Sequence, residues 1–382
     1  MIAMAKMTVE GSAAVAQAVK SCEPDVAACY PITPSTHVAE ELASFYANGE
    51  LKSFIATDSE LSSMSACIGA SAAGSRTLTV TSSQGLALMH EAIYNAAGNR
   101  MPILLVVGSR SLSAPLNIWN DWQDSMPERD SGWLQIFCEN AQEAADTVPQ
   151  AFKVAEQVML PVMVCFDGFY ITHSVEPVDV PTTEEVRKYL PKFSPKVKLD
   201  TTNPISMGEY AFPAHYQSFR EDVHKDMLAS EKNVKQAHDD YAKMFGRGYG
   251  NGLLEEYKSQ DADYVFVSMG SVCGNAKEAV DALRAKGEKA GLVRLRLFRP
   301  FPYEAVRKAL EGKKSIGIFE KAYSLGALPP VYSEVLTALT DAKAKPVISS
   351  FVGGLGGKDV TVGHVTELFA KIKQGKKLVE WV

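Results

Sequence analysis

Residues 102–108 read Pro-Ile-Leu-Leu-Val-Val-Gly, with no polar side chain on either alternating face. A strand with one wet face alternates apolar and polar residues, so this one is buried on both sides, in a sheet covered by helices above and below. Similar short runs occur at 25–30, 53–56, 77–81 and 161–166. Between them the spacing predicts helices over 37–46, with Val38, Leu42 and Phe45 on one face and Ser35 as its cap, and over 60–73, 86–97 and 141–157. Strands and helices in alternation predict a parallel sheet.

Residues 111–132 have no regular period. Prolines at 177, 181, 191, 195, 204 and 213 break the pattern over 176–215, which reads as an extended strap, followed by one charged helix over 219–245. Glycines at 246, 248, 250 and 252 mark a boundary. A second series follows: strands at 263–270, 290–296, 315–320 and 347–352, and helices at 276–286 and 303–310. The expected architecture is two parallel-sheet α/β domains, 1–250 and 251–382.

A net charge of -6 with no basic tract excludes a nucleic-acid or anionic-membrane binder. No apolar run approaches the ~20 residues that span a bilayer, and the N-terminus has no signal-type apolar core, so a cytoplasmic location is expected. The six cysteines, Cys22, Cys29, Cys67, Cys138, Cys165 and Cys273, form no C-x-x-C pair. They read as buried thiols, with no metal or iron–sulfur cluster held by this chain alone.

Ligands of open parallel sheets bind at the carboxyl ends of strands, and four such ends carry polar residues here. In Tyr30-Pro31-Ile32-Thr33-Pro34-Ser35 two prolines frame one hydroxyl, Thr33. Ser59-Glu60 opens a helix, where a carboxylate serves either the helix dipole or a ligand. Thr81-Ser82-Ser83-Gln84-Gly85 offers hydroxyls, an amide and a bare backbone. Arg110 ends the apolar strand and needs either a carboxylate partner or an anionic ligand. The glycine-rich turns 270–274 and 353–357 match neither a dinucleotide nor a phosphate-loop pattern.

Taken in order, these segments resemble the α subunit of the 2-oxoacid:ferredoxin oxidoreductases. The likeness extends to Asp167-Gly168-Phe169 with Thr172-His173, and to Arg294-Leu295-Arg296 and Arg299-Pro300-Phe301-Pro302. It implies a transketolase-like α/β fold, with a thiamine pyrimidine-binding domain followed by a transketolase C-terminal-like domain. It also implies oxidative decarboxylation of a 2-oxoacid, pyruvate first, with CoA and ferredoxin, or the reverse reaction.

By the same resemblance the cofactor is thiamine diphosphate, whose pyrimidine half this chain binds through Pro31, Glu60, Ser83 and Gln84. Glu60 is the catalytic carboxylate that hydrogen-bonds the aminopyrimidine, while Thr33 and Arg110 hold the substrate. Mg²⁺ and the [4Fe-4S] clusters are expected in partner subunits only: a β subunit with the diphosphate site, a cluster-bearing ferredoxin-like subunit and a γ-type subunit. The stretch Leu116-Asn117-Ile118-Trp119-Asn120-Asp121-Trp122 is expected to lie over the active site. The sequence leaves open branched-chain or aryl 2-oxoacids, a thiamine enzyme not coupled to ferredoxin, and a non-catalytic α/β subunit.

Overall fold

The computed structural model describes residues 5–376 and 379–382. The chain begins β1 (Ala5–Glu10), α1 (Gly11–Ser21), β2 (Val26–Cys29), α2 (Thr36–Ala47), β3 (Phe54–Ala56), α3 (Glu60–Ala72), β4 (Thr77–Thr81), α4 (Ser83–Gly98) and β5 (Leu104–Ser109). After an irregular stretch come β6 (Leu134–Cys138), α5 (Ala141–Val158), β7 (Val162–Asp167), β8 (Val175–Val180), α6 (Thr183–Tyr189), α7 (Pro213–Ala229) and α8 (Glu231–Phe245). The later elements are β9 (Leu254–Tyr257), β10 (Tyr264–Ser268), α9 (Val272–Arg284), β11 (Ala290–Leu295), β12 (Leu297–Arg299), α10 (Tyr303–Leu310), β13 (Ser315–Glu320), α11 (Pro330–Ala338), β14 (Val347–Val352), α12 (Val362–Lys373) and β15 (Val379–Trp381).

The first sheet has the order β12-β6-β7-β5-β4-β2-β3 and the second β15-β14-β13-β10-β11-β9. All pairings in these two sheets are parallel except at one edge of each, where β12 and β9 run antiparallel to β6 and β11. From β2 the chain goes outward to β3, and α3 then returns it to the other side of β2, as β4. That reversal opens a crevice beyond the carboxyl ends of β2 and β4, the place where doubly wound sheets bind ligands.

Both faces of the first sheet are covered, as its apolar strands require. Val15, Val19, Leu42 and Phe152 pack one face against Val80, Leu104 and Val106. On the other face, Met64, Leu86 and Ile93 join Leu105 and Val107 in a cluster that continues into Val267, Phe298 and Ile318 of the second unit. The units are also tied by buried charge. Glu143 accepts from Arg294 at 2.7 Å and from Arg296 at 3.0 Å, and Lys321 meets Asp167 at 3.0 Å.

Several expectations need correction. The strap is not without structure: β8 pairs antiparallel with β1, and Thr182 and Glu185 form a capping box that starts α6. Local side-chain bonds thus override the prolines there. The single charged helix is two helices, α7 and α8, parted at Ser230. Ser35 does not cap α2 with its side chain; its hydroxyl donates back to the Ile32 carbonyl at 2.9 Å. The sheets are not wholly parallel, and β12 returns from beyond residue 251 to complete the edge of the first sheet.

Candidate cofactor and substrate site

Ser59 caps α3 by accepting the Ser62 N–H at 3.2 Å, which makes Glu60 the first helical residue. Glu60 is 6% exposed. Among the described residues its carboxylate has no hydrogen-bond or ion-pair partner. It lies against the start of α4: a Cβ added at Gly85 would sit 2.5 Å from Glu60 Oε1 and 2.5 Å from Thr81 Oγ1. The Thr81 hydroxyl is fully buried and, among the described residues, unpartnered. Two orphaned polar groups around a bare glycine fit a ligand that brings a hydrogen-bond donor to the carboxylate, because a buried carboxylate left alone is costly. An aromatic ring nitrogen that shares a proton, as in an aminopyrimidine, satisfies that demand.

At the neighbouring strand end Ser83 has φ +49°, a left-handed conformation uncommon outside glycine. Its N–H donates to Asp124 Oδ2 at 2.9 Å, and its hydroxyl reaches the Ser111 carbonyl and Gln84 Oε1. The Gln84 amide nitrogen is left without a partner among the described residues.

The first of the two options for Arg110, a carboxylate partner, is not taken up. Arg110 forms no ion pair with a carboxylate among the described residues. Instead Nη1 donates to the Thr33 carbonyl at 2.9 Å and Nε to the Asn117 carbonyl at 3.1 Å. Burial pulls its pKa down, with the nearby Asp124 acting in the opposite sense. Nη2 has no partner among the described residues, so a cationic fork stands ready for an anion. Thr33 is joined to Arg110 through its carbonyl, which leaves its hydroxyl exposed beside Pro31. The structure therefore joins Thr33 to Arg110 and sets Glu60 against the start of α4 at Gly85.

Two further contributors come from the stretch after β5: Asn117, within the segment 116–122 expected over the site, and Asp124, which the sequence reading did not single out. Asn117 places its carbonyl on Arg110, while its amide accepts from Ser111 Oγ at 2.8 Å and donates to the Gly356 carbonyl at 3.1 Å. The glycine-rich turn is thus a bracket: a Cβ at Gly356 would sit 2.7 Å from Asn117 Nδ2, and one at Gly357 would overlap Trp119. Asp124, the second, is fully buried. Burial pushes its pKa up to about 7 against the N–H groups of Ser83 and Arg110, which it accepts at 2.9 and 2.8 Å. Asp124 lies in the same aperiodic stretch, two residues beyond that segment, where a carboxylate close to Trp122 is the available hint.

A half-site of this kind, at the β2–β4 crevice of the first of two α/β units, defines a thiamine diphosphate-dependent subunit. Residues 17–239 match the family model "Pyruvate flavodoxin/ferredoxin oxidoreductase, thiamine diP-bdg", and residues 262–365 match "Pyruvate:ferredoxin oxidoreductase core domain II". The pyruvate synthase subunit PorA of Methanothermobacter thermautotrophicus is 45% identical over 99% of this chain and 98% of its own. The ketoisovalerate oxidoreductase subunit VorA of Pyrococcus horikoshii is 41% identical over 98% of this chain and 97% of its own. The chain belongs to the 2-oxoacid:ferredoxin oxidoreductase family, as an α-type subunit of a multi-subunit enzyme.

Solved structures share the fold. A 2-oxoglutarate:ferredoxin oxidoreductase from Magnetococcus marinus superposes with a TM-score of 0.71 at 20% identity, over 96% of this chain and 65% of the other. A split-gene transketolase gives 0.58 at 14% identity, over 97% of this chain and 100% of the other.

Proposed function

We propose that this chain is the pyrimidine-binding α subunit of a pyruvate:ferredoxin oxidoreductase, with residues 1–250 carrying the half-site and 251–382 bracing it. The observation that carries the reading is the carboxylate of the buried residue Glu60, without a partner among the described residues, at the β2–β4 crevice. Pyruvate is favoured because relatives named pyruvate synthase match at 45% and 44% identity over 99% of the chain. The 41% likeness to a ketoisovalerate enzyme supports a branched-chain 2-oxoacid as the second reading.

Thiamine diphosphate, when bound, supplies the electron-accepting centre that lets a 2-oxoacid lose its carboxyl group. Pro31, Ser83 and Gln84 border its pyrimidine half, and Glu60 holds and returns a proton at the ring nitrogen. Arg110 Nη2 receives the substrate carboxylate and the Thr33 hydroxyl donates to the 2-oxo group. Neither needs to move, since Thr33 and Arg110 are already bonded to each other. The diphosphate with its Mg²⁺ and the [4Fe-4S] clusters belong to partners: a β subunit, a ferredoxin-like subunit and a γ-type subunit, with ferredoxin and CoA as co-substrates. No described helix is long and apolar enough to cross a membrane. The proposed complex is cytoplasmic.

Glu60→Gln in the purified complex tests the reading. The variant is expected to assemble and to lose about 10²–10⁴-fold in turnover of pyruvate, the usual worth of positioned proton transfer. Turnover close to that of the parent would remove the proposed role.

A further inference from the structure

Asp124 is bonded to two of the residues above and belongs to neither strand end. We propose that Asp124 is a positioning residue for 2-oxoacid binding, acting through Arg110 and Ser83. A single oxygen, Oδ2, accepts the N–H of Ser83 at 2.9 Å and the N–H of Arg110 at 2.8 Å. These two N–H groups stand at the start of α4 and just past β5, both outside the stretch that carries Asp124. The other oxygen, Oδ1, is buried without a hydrogen-bond partner among the described residues.

The demand for such a clasp comes from the backbone. Ser83 sits at φ +49°, a conformation that a non-glycine residue keeps only where its surroundings hold it. Its N–H bond to Asp124 and its hydroxyl bond to the Ser111 carbonyl provide that hold. Arg110 is anchored at its backbone by Asp124 and at its guanidinium by Asn117 and Thr33, so the fork has one direction left to point.

Asp124 is itself set by the second unit. The Trp122 N–H donates to the Lys321 carbonyl at 2.8 Å, and Gln123 Oε1 accepts the Tyr323 N–H at 2.7 Å. The segment just past β13 thus fixes the two residues before Asp124. Through them the second unit, which supplies none of the proposed ligand-binding residues, sets where Arg110 stands.

The inference rests on Arg110 binding the substrate carboxylate, and the experiment separates the two. In the assembled complex, KM and kcat for pyruvate and the melting temperature are measured for Asp124→Ala, Asp124→Asn and Arg110→Ala. Asp124→Ala is expected to raise KM about 10- to 100-fold, the scale of a small misplacement of a positioned group. Asp124→Asn keeps one acceptor oxygen for both N–H groups and is expected to restore KM to within about threefold, which a merely space-filling role would not require.

A lowered melting temperature with unchanged KM in Asp124→Ala overturns the proposal, as does an equal rise in KM for the Ala and Asn variants. If Arg110→Ala leaves KM unchanged, the substrate role of Arg110 fails and this inference fails with it. If Arg110→Ala raises KM and Asp124→Ala does not, only the inference fails. Should Asp124→Ala not assemble, Asp124→Ser, too short to reach both donors, takes its place with the same expected rise.

Discussion

Gly85→Ala separates the geometry of the half-site from the stability of the fold. The added methyl would come within 2.5 Å of both Glu60 Oε1 and Thr81 Oγ1, and within 2.7 Å of Glu60 Cγ, well inside contact distance. Gly85 lies in the first turn of α4, so alanine recovers up to about 1 kcal/mol of helix propensity. Overpacking a buried site costs about 1–3 kcal/mol. The net loss of stability is therefore about 0–3 kcal/mol, small enough to leave the protein folded.

The nearest groups that can yield are the Thr81 hydroxyl and the Glu60 side chain, whose carboxylate no protein hydrogen bond restrains among the described residues. The clash with Glu60 is thus relieved by turning that carboxylate away from the crevice. Turnover is expected to fall about 10²–10⁴-fold, as for loss of the proton-transfer group. Thiamine diphosphate titration, followed by circular dichroism or calorimetry, should show weakened binding. Thermal melting of the same preparation checks the fold. Near-parental turnover and cofactor affinity in a folded Gly85→Ala complex would refute the placement of Glu60.

Glu143→Gln leaves Arg294 and Arg296 buried with their shared carboxylate neutralised, a change expected to cost about 3–5 kcal/mol in unfolding free energy, read from denaturant melts. Burial by itself would raise the pKa values of Glu143 and Asp167, but Arg294 and Arg296 for the first, and Lys321 with Ser271 and Trp122 for the second, hold both below the ordinary carboxylate range. Their contribution is therefore present above about pH 4 and lost as the pH falls through the lowered values, so acid melts of the parent should steepen below about pH 4 and those of Glu143→Gln less so. All six cysteines are buried and unpaired, and burial pushes the thiols of Cys29 and Cys138 up to about 12. A thiol reagent at pH 8 should label none of them in the native chain and all six after denaturation, and rapid native labelling would contradict the burial.

The strand ends are legible without the fold because their signals are local. An apolar run such as 102–108 has only one environment open to it, and β4, α10, β13 and β14 match their predicted bounds. Glu60, Ser83 and Arg110 stand out as polar residues placed where such runs stop. The strap differs from its expectation because its order comes from the pairing of β8 with β1 and from one capping box, and proline counting registers neither.

What the sequence determined by itself was the kind of element each segment forms and which residues the strand ends offer, since burial patterning acts over a few neighbours. Only the tertiary structure decided how those residues are used. The reversal between β3 and β4 places Glu60 against Gly85, and the buried Asp124 joins Ser83 to Arg110 across strands. Such contacts join residues tens to hundreds of positions apart in the chain, as with Asn117 and Gly356. Their energies depend on the closing of the crevice, a property of the packed sheets that no single segment carries.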